Sequence, residues 1–420
     1  MAQGLFSVWL ARWRYSALLR RMGTLTSGTA LAQLIQLINF VILAKLYTLA
    51  EIGMYSMFVA IVSILAPVAL LGYERLIPNA SDEDLGPYLK ALLLLLLPMT
   101  LLLSLLATLL LYGHTLAVGI WIAGAMIQRL AEMHNIRENR FRWISVARLS
   151  PPLTMTLLLA AFAWLDVQGM DRLIIWQAGL MLALGLTYAA LTLPRAILST
   201  HHSIARMQET LRTSINAPLY LMPSSLLNLA AYNVPVLVIG HWLGSELAAQ
   251  YAYVLRFGFG PVALVGGTLY QVFYGFLSEA VRTGNKAMFE QYARARRHMK
   301  YISMATMIGM ALGYPLVFRY VLGPEWMAAG WISMIFAPLF AIMLYTNSVS
   351  VVLNVFNRQH YELISQINYF VISVLAFGLA ALTGNAWLGF ALFSLFGCLR
   401  YVLLLRDINK VLVEHKVIES

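Results

Sequence analysis

The stretch YVLRFGFGPVALVG, Tyr253 to Gly266, sets a single arginine among otherwise uncharged residues, with no acid within one helical turn of Arg256. An apolar run of about 20 residues is long enough to cross a ~30 Å hydrocarbon core as a helix. Arg256 lies nine residues into the run that begins at 247, which at ~1.5 Å per residue puts it ~13 Å deep, near the midplane. A cation there costs about 2.5–3.5 kcal/mol on an insertion scale, and its side chain is too short to snorkel out. It therefore has to face protein or trapped water.

Runs of this kind recur along the whole chain. Hydrophobic residues make up 60% of the 420 and charged residues 11%, against about 25% charged in a soluble domain. That leaves too little polar surface to coat a soluble globule. Membrane-spanning strands would appear as short alternating segments, and none is seen. The chain reads as an all-α polytopic membrane protein.

Twelve spans are expected, at 23–46, 52–72, 88–111, 115–134, 149–165, 173–194, 217–242, 247–273, 301–321, 328–353, 362–383 and 386–406. The fifth, which starts at the SPP of Ser150 to Pro152, carries the weakest signal. Basic residues orient the set by the positive-inside rule. Of 29 Lys and Arg, only Lys45, Arg172 and Arg319 fall on the outer side, while Arg129 and Arg256 stay within spans. Both termini are then cytoplasmic, and the net charge of +11 follows from topology without any nucleic-acid partner. The outer connections are short, and the larger inner ones cover 195–216 and 274–300. The start of the chain lacks the pattern of a signal peptide. Trp9, Trp13 and Tyr15 among Arg12, Arg14, Arg20 and Arg21 suggest an amphipathic helix on an anionic surface. The lone Cys398 excludes an internal disulfide.

The expected organisation is an N-terminal cytoplasmic segment 1–22, a six-helix lobe 23–194, a linker 195–216, a second six-helix lobe 217–406 and a tail 407–420. Two echoes favour a parallel repeat. APVALLG at Ala66–Gly72 matches GPVALVG at Gly260–Gly266, and Glu51 with Tyr55 precedes the first as Glu246 with Tyr251 precedes the second. Transporters commonly bind substrate between such repeats. The first helix of each half also carries a polar stripe. Thr26, Thr29, Gln33 and Gln36 lie within roughly 80° of one another, with Asn39 one turn on, and Tyr220, Ser224, Asn228 and Tyr232 follow i, i+4 spacing. Cavity lining and helix–helix hydrogen bonding, worth about 0.6 kcal/mol each, both remain open for these groups.

For Arg256 the functional reading is a cation that receives an anion inside a cavity; the structural alternative is pairing with carbonyls freed near Pro261. Arg129 has Glu132 at i+3, so a local ion pair competes with ligand binding. Lys45 and Arg75 sit near span ends, where they can snorkel or add to a positive cavity field. Catalytic and metal signatures are missing: there is no phosphate loop, no HExxH and no Cys/His ligand spacing. His201 and His202 read as a solvated loop pair, and Asp82, Glu83 and Asp84 as a helix start. No catalytic residue, metal or cofactor is expected.

Several blocks resemble a known family. GTALAQLIQLINFVILAKLYTLAEIGMYSMFVAIVSIL, the following GYERLIP, and NIRENRFRWISVAR are similar to polysaccharide flippases of the Wzx type, in the multidrug/oligosaccharidyl-lipid/polysaccharide (MOP) exporter superfamily. So are the segment from Leu219 to Glu279 and LGPEWMAAGWISMIFAPLFAIMLYTNSVSVVLNVFNRQHYEL. The resemblance implies a MATE-like fold of two six-helix lobes around a central cavity that opens alternately to either side. It implies as cargo an oligosaccharide on undecaprenyl pyrophosphate, handled by a monomer in the bacterial inner membrane among membrane lipids. A polysaccharide polymerase and a chain-length regulator are the implied companions. Carried onto this chain, the pyrophosphate would meet Arg256 and, secondarily, Arg129, Lys45 and Arg75. The sugars would meet Thr29, Gln33, Gln36, Asn39, Ser224, Asn228 and Tyr232.

Two other readings are weighed against this. A drug or organic-cation antiporter of the same superfamily would be expected to hold acids inside the bundle, whereas the midplane here offers a cation. A membrane polymerase or ligase would be expected to carry a sizeable outer loop.

Overall fold

The computed structural model describes residues 17–108, 115–194, 203–284, 286–415 and 417, and among these the regular structure is entirely helical. Among the described residues, twelve helices are long and apolar enough to cross a membrane. They are α1 (Ala17–Leu46), α2 (Leu49–Ala69), α3 (Asp82–Thr108), α4 (Thr115–Arg137), α5 (Phe141–Trp164), α6 (Met170–Thr192), α7 (Met222–Val238), α8 (Ser245–Thr283), α9 (Lys286–Val317), α10 (Met327–Val349), α11 (His360–Thr383) and α12 (Ala386–Glu414). One-turn π segments lengthen α7 at both ends, as Ala217–Leu221 and Ile239–Leu243. The twelve expected spans are therefore all present. The amphipathic segment expected before residue 17 and the His201–His202 pair lie outside the described residues.

The chain falls into two compact units, Met1–Asn39 with Val62–Ser225, and Phe40–Ile61 with Leu226–Ser420. In the first unit, α3 shows how lipid inverts the usual patterning. Leu94, Leu97, Leu101 and Leu105 form an exposed stripe, while Leu89, Leu92, Leu96 and Leu103 are buried. Lipid chains are as apolar as leucine, so small residues and polar bonds hold helices together. The α4–α6 seam uses Gly124 and Gly185, where a Cβ on Gly185 would stand 2.2 Å from the Gly124 carbonyl oxygen.

The fifth span is one continuous helix through Pro151 and Pro152. Pro151 has no N–H to give, which frees the carbonyl four residues earlier. Gln128 of α4 donates to that Ala147 oxygen at 2.5 Å. Asn39 of α1 donates to the Pro152 oxygen at 2.8 Å. Pro151 thus frees an acceptor that a neighbouring helix fills, while the Pro152 oxygen also takes the Thr156 hydroxyl at 2.9 Å.

Leu71 and Gly72, with φ of 51° and 77°, end α2 and lead into a 3-10 turn, Tyr73–Asn79. The matching echo behaves differently, because Gly266 continues within α8. Within the linker, a helix at Ile204–Thr213 is capped by the Ser203 hydroxyl, which accepts from the Arg206 N–H at 3.3 Å. Its Arg206 pairs with Asp84 at 2.7 Å.

In the second unit an aromatic cluster of Tyr251, Phe336, Phe377, Phe390 and Phe393 joins α8, α10, α11 and α12, with ring centroids 5.4–6.1 Å apart where they touch. The 274–300 connection is itself helical: α8 and α9 run on as helices on either side of Gly284, φ 62°. The extension has an apolar contact of its own, since Tyr292 is buried against Phe273 at 5.6 Å. Charged residues in KAMFEQYARARRHMK conceal that face in a search for purely apolar runs.

Candidate functional site

Helix α8 carries Arg256 one turn after Tyr253, and both belong to the second unit along with Phe40 and Tyr55. The guanidinium carbon stands 4.5 Å from the ring centre of Phe40, 5.9 Å from Tyr55 and 5.8 Å from Tyr253. All three lie within the ~6 Å over which a ring face attracts a cation. The Tyr253 hydroxyl donates to the Phe40 carbonyl at 2.9 Å, and its ring packs on Trp326 at 4.2 Å.

Arg256 is half-buried, with Nη1 enclosed and without a hydrogen-bond partner. Among the described residues it forms no ion pair. Pro261 does free a carbonyl, that of Phe257, but the Tyr314 hydroxyl takes it at 2.7 Å. The rings can orient and partly stabilise the cation, yet they leave hydrogen-bonding capacity unused.

A second arginine was counted in the sequence only as an inner-side charge. Arg400 of α12 is 8% exposed, and its Nε is buried without a partner. Its guanidinium carbon lies 4.4 Å from the Tyr369 ring centre and 4.0 Å from that of Tyr401. It borders a cavity of about 290 Å³ lined by α7, α8, α10, α11 and α12, all within the second unit. Glu362, Gln366, Asn228 and Tyr232 also line it. The sequence did hold a signal for Arg400: apolar residues flank it on both sides in LFGCLRYVLLL.

The remaining expected residues divide between the two units. In the first, Arg129 pairs with Glu132 at 2.8 Å, the i, i+3 contact that the spacing anticipates. Glu132 also takes Arg148 at 3.3 Å, and Arg148 donates to the Thr29 hydroxyl at 2.7 Å. Asn39 is 1% exposed, and besides donating to Pro152 it accepts from the Thr156 hydroxyl at 2.7 Å. Gln33 is half-buried and Gln36 is exposed, while the side chain of Thr26 lies outside the described residues. Arg75 is exposed, 3.8 Å from Glu74. Ser224 is half-buried. In the second unit, Lys45 donates to the Leu322 carbonyl at 2.7 Å. That bond satisfies a helix-end acceptor in the usual position for a lysine. The second polar stripe therefore delivers Asn228 and Tyr232 to a cavity, while Thr29 of the first and the neighbouring Asn39 bond to α5.

A sequence profile of the family described as "Polysaccharide biosynthesis protein" matches residues 42–330. No curated protein matches by sequence. Among solved structures, "Lipid II flippase MurJ, inward closed conformation" is similar with a TM-score of 0.68 at 13% identity, over 92% of this chain and 89% of that one. An inward-facing multidrug resistance MATE family transporter of the MOP superfamily gives 0.64 at 13% identity, over 90% and 95%. A MOP superfamily transporter from Pyrococcus furiosus, described as having a binding pocket of reversed polarity, gives 0.52 at 13%, over 93% and 94%. At such identities the likeness establishes the fold, which is that of the MurJ and MATE proteins.

Proposed function

The chain belongs to the polysaccharide biosynthesis protein family, and on that premise we propose that it is a flippase for lipid-linked oligosaccharide. The cargo is an oligosaccharide on undecaprenyl pyrophosphate, carried from the cytoplasmic to the periplasmic leaflet of the bacterial inner membrane. The two six-helix lobes, 23–194 and 217–406, alternate access around the cargo while the lipid tail stays in the bilayer. Both termini are cytoplasmic and the working unit is a monomer. A polysaccharide polymerase and a chain-length regulator use its product.

One observation carries this reading: Arg256 is held by three aromatic rings inside a span, with Nη1 unfilled and no carboxylate paired to it among the described residues. A cation left so costly by its surroundings is stabilised by a matching anion. The diphosphate is the charged part of the cargo whose desolvation makes unassisted flipping slow. Charge-assisted hydrogen bonds to phosphate are about twice as strong as neutral ones, which suits Arg256 to bind that group. Arg129 is already committed to Glu132, and Lys45 to Leu322, so both rank below Arg256 as diphosphate ligands. Arg75 adds positive field. Thr29, Gln33, Gln36, Ser224, Asn228 and Tyr232 offer hydrogen bonds to sugars.

Alternating access needs the cargo to bind the two states with different affinity, and Arg256 is where we place that difference. The test is surface polysaccharide in cells that carry Arg256→Ala at the normal membrane level. Export should be lost and lipid-linked precursor should accumulate. Wild-type export in that strain would remove Arg256 from the mechanism.

A further inference from the structure

The cavity beside Arg400 has a chemical composition that specifies a narrow class of ligand. Arg400 and Glu362 both line it, yet no ion pair joins them and neither side chain makes a hydrogen bond among the described residues. The Arg400 Nε and the Ser365 hydroxyl are buried without hydrogen-bond partners. Buried groups left so are costly, which favours an entering molecule that satisfies them. Tyr369 and Tyr401 hold the guanidinium between their rings at 4.4 and 4.0 Å, so it is fixed in place before anything arrives.

Each wall sets a requirement. Arg400 only donates and is positive, so it asks for an anionic acceptor. The Glu362 carboxyl offers acceptor oxygens, so it asks for hydroxyl donors. Asn228 and Gln366 both donate and accept. The tyrosine rings offer flat faces. The volume of about 290 Å³ is at the low end of the roughly 300–1,000 Å³ usual for small-molecule sites, which suits one ring better than a whole glycan. A diphosphate would bring charge up against Glu362. A free cation is opposed by Arg400. A neutral sugar can accept from Arg400 through its hydroxyls but leaves its charge unmatched.

From this we infer that the cavity binds a single sugar ring bearing one carboxylate, a hexuronate. The inference rests on the flippase reading in one respect, that the ring belongs to the transported glycan. It deepens that reading by making the glycan an acidic one.

The test is equilibrium binding to the full chain purified in detergent, followed by saturation-transfer NMR for weak ligands. The probes are glucuronate, glucose and inorganic pyrophosphate. Glucuronate should bind at least tenfold tighter than glucose, and pyrophosphate should not displace it. Arg400→Gln should weaken glucuronate at least tenfold. Asn228→Leu, a change on the cavity wall at an exposed position, should do the same by filling the space, and it serves if the arginine variant fails to fold. Equal binding of glucose, displacement by pyrophosphate, or full affinity in both variants would overturn the inference. Because the readout does not involve transport, a chain that exports glycan through Arg256 but ignores glucuronate would refute this site and leave the flippase reading intact.

Discussion

Gly53 of α2 sits so close to the start of α8 that a Cβ added to it would lie 1.9 Å from the Ser245 carbonyl oxygen and 2.5 Å from its carbon. Ordinary contact starts at 3.4 Å, so Gly53→Ala forces the two helices apart by about 1.5 Å. The obstacle is backbone and cannot rotate away. Overpacking of this kind costs about 1–3 kcal/mol, and alanine's better helix propensity returns only about 0.5–1 kcal/mol. The displacement reaches Arg256 as well. Tyr55 is already 5.9 Å from the guanidinium, at the ~6 Å limit of attraction, so moving α2 by that amount removes it from the cage. Losing that contact adds about 0.5–1 kcal/mol, for a net loss of about 2 kcal/mol. Cys398 is the only cysteine, so its labelling by a thiol-reactive dye during heating reports unfolding. Gly53→Ala should unfold several degrees below wild type, while Gly275→Ala, with nothing within 4 Å of the new carbon, should be unchanged or slightly more stable. Equal unfolding temperatures for Gly53→Ala and wild type would refute the packing argument.

Two further predictions separate structural from functional polar groups. Asn39→Ala removes bonds to Pro152 and Thr156, and at about 0.6 kcal/mol per interhelical bond it should lower stability by about 1 kcal/mol in the same assay. Abolished export at undiminished stability would instead return Asn39 to the sugar-binding group. Glu74, in the 3-10 turn between α2 and α3, is 5% exposed, and burial pushes its carboxyl above the usual carboxylate range. The folded chain therefore holds that proton more tightly than the unfolded chain. Its contribution to stability is full below about pH 4.3 and is lost as pH rises through the raised folded value. Unfolding temperatures of Glu74→Gln and wild type should thus agree at pH 4 and diverge towards pH 7, with the variant the more stable. A constant offset across that range would contradict the burial argument.

Spans were legible in the sequence because lipid sets one strong requirement, a long apolar helix with its backbone satisfied internally. Even the Pro151–Pro152 segment met it, through a donor from Gln128 that no local reading could supply. The Arg129–Glu132 pair was legible because its partners are three residues apart on one helix. Arg256 stood out in an uncharged run, but two of its three rings come from Phe40 and Tyr55, about 200 residues away, and sequence spacing does not bring those together. Arg400 was passed over because its place near the inner end of a span made topology a sufficient explanation. Asn39 looked like cavity lining because its partners, the Pro152 carbonyl and the Thr156 hydroxyl, lie more than a hundred residues away in the chain. The α8–α9 extension was hidden because a helix that leaves the membrane carries charges on its wet face.

Transport by the purified chain in liposomes tests the central claim most directly. Oligosaccharide linked to polyprenyl pyrophosphate is placed in one leaflet, and its arrival in the other is followed for wild type, Arg256→Lys and Arg256→Ala. Wild type should move the cargo, Arg256→Lys should retain part of the rate because the charge remains, and Arg256→Ala should fall to the protein-free rate. Equal rates for Arg256→Ala and wild type would show that the buried cation does not carry the diphosphate.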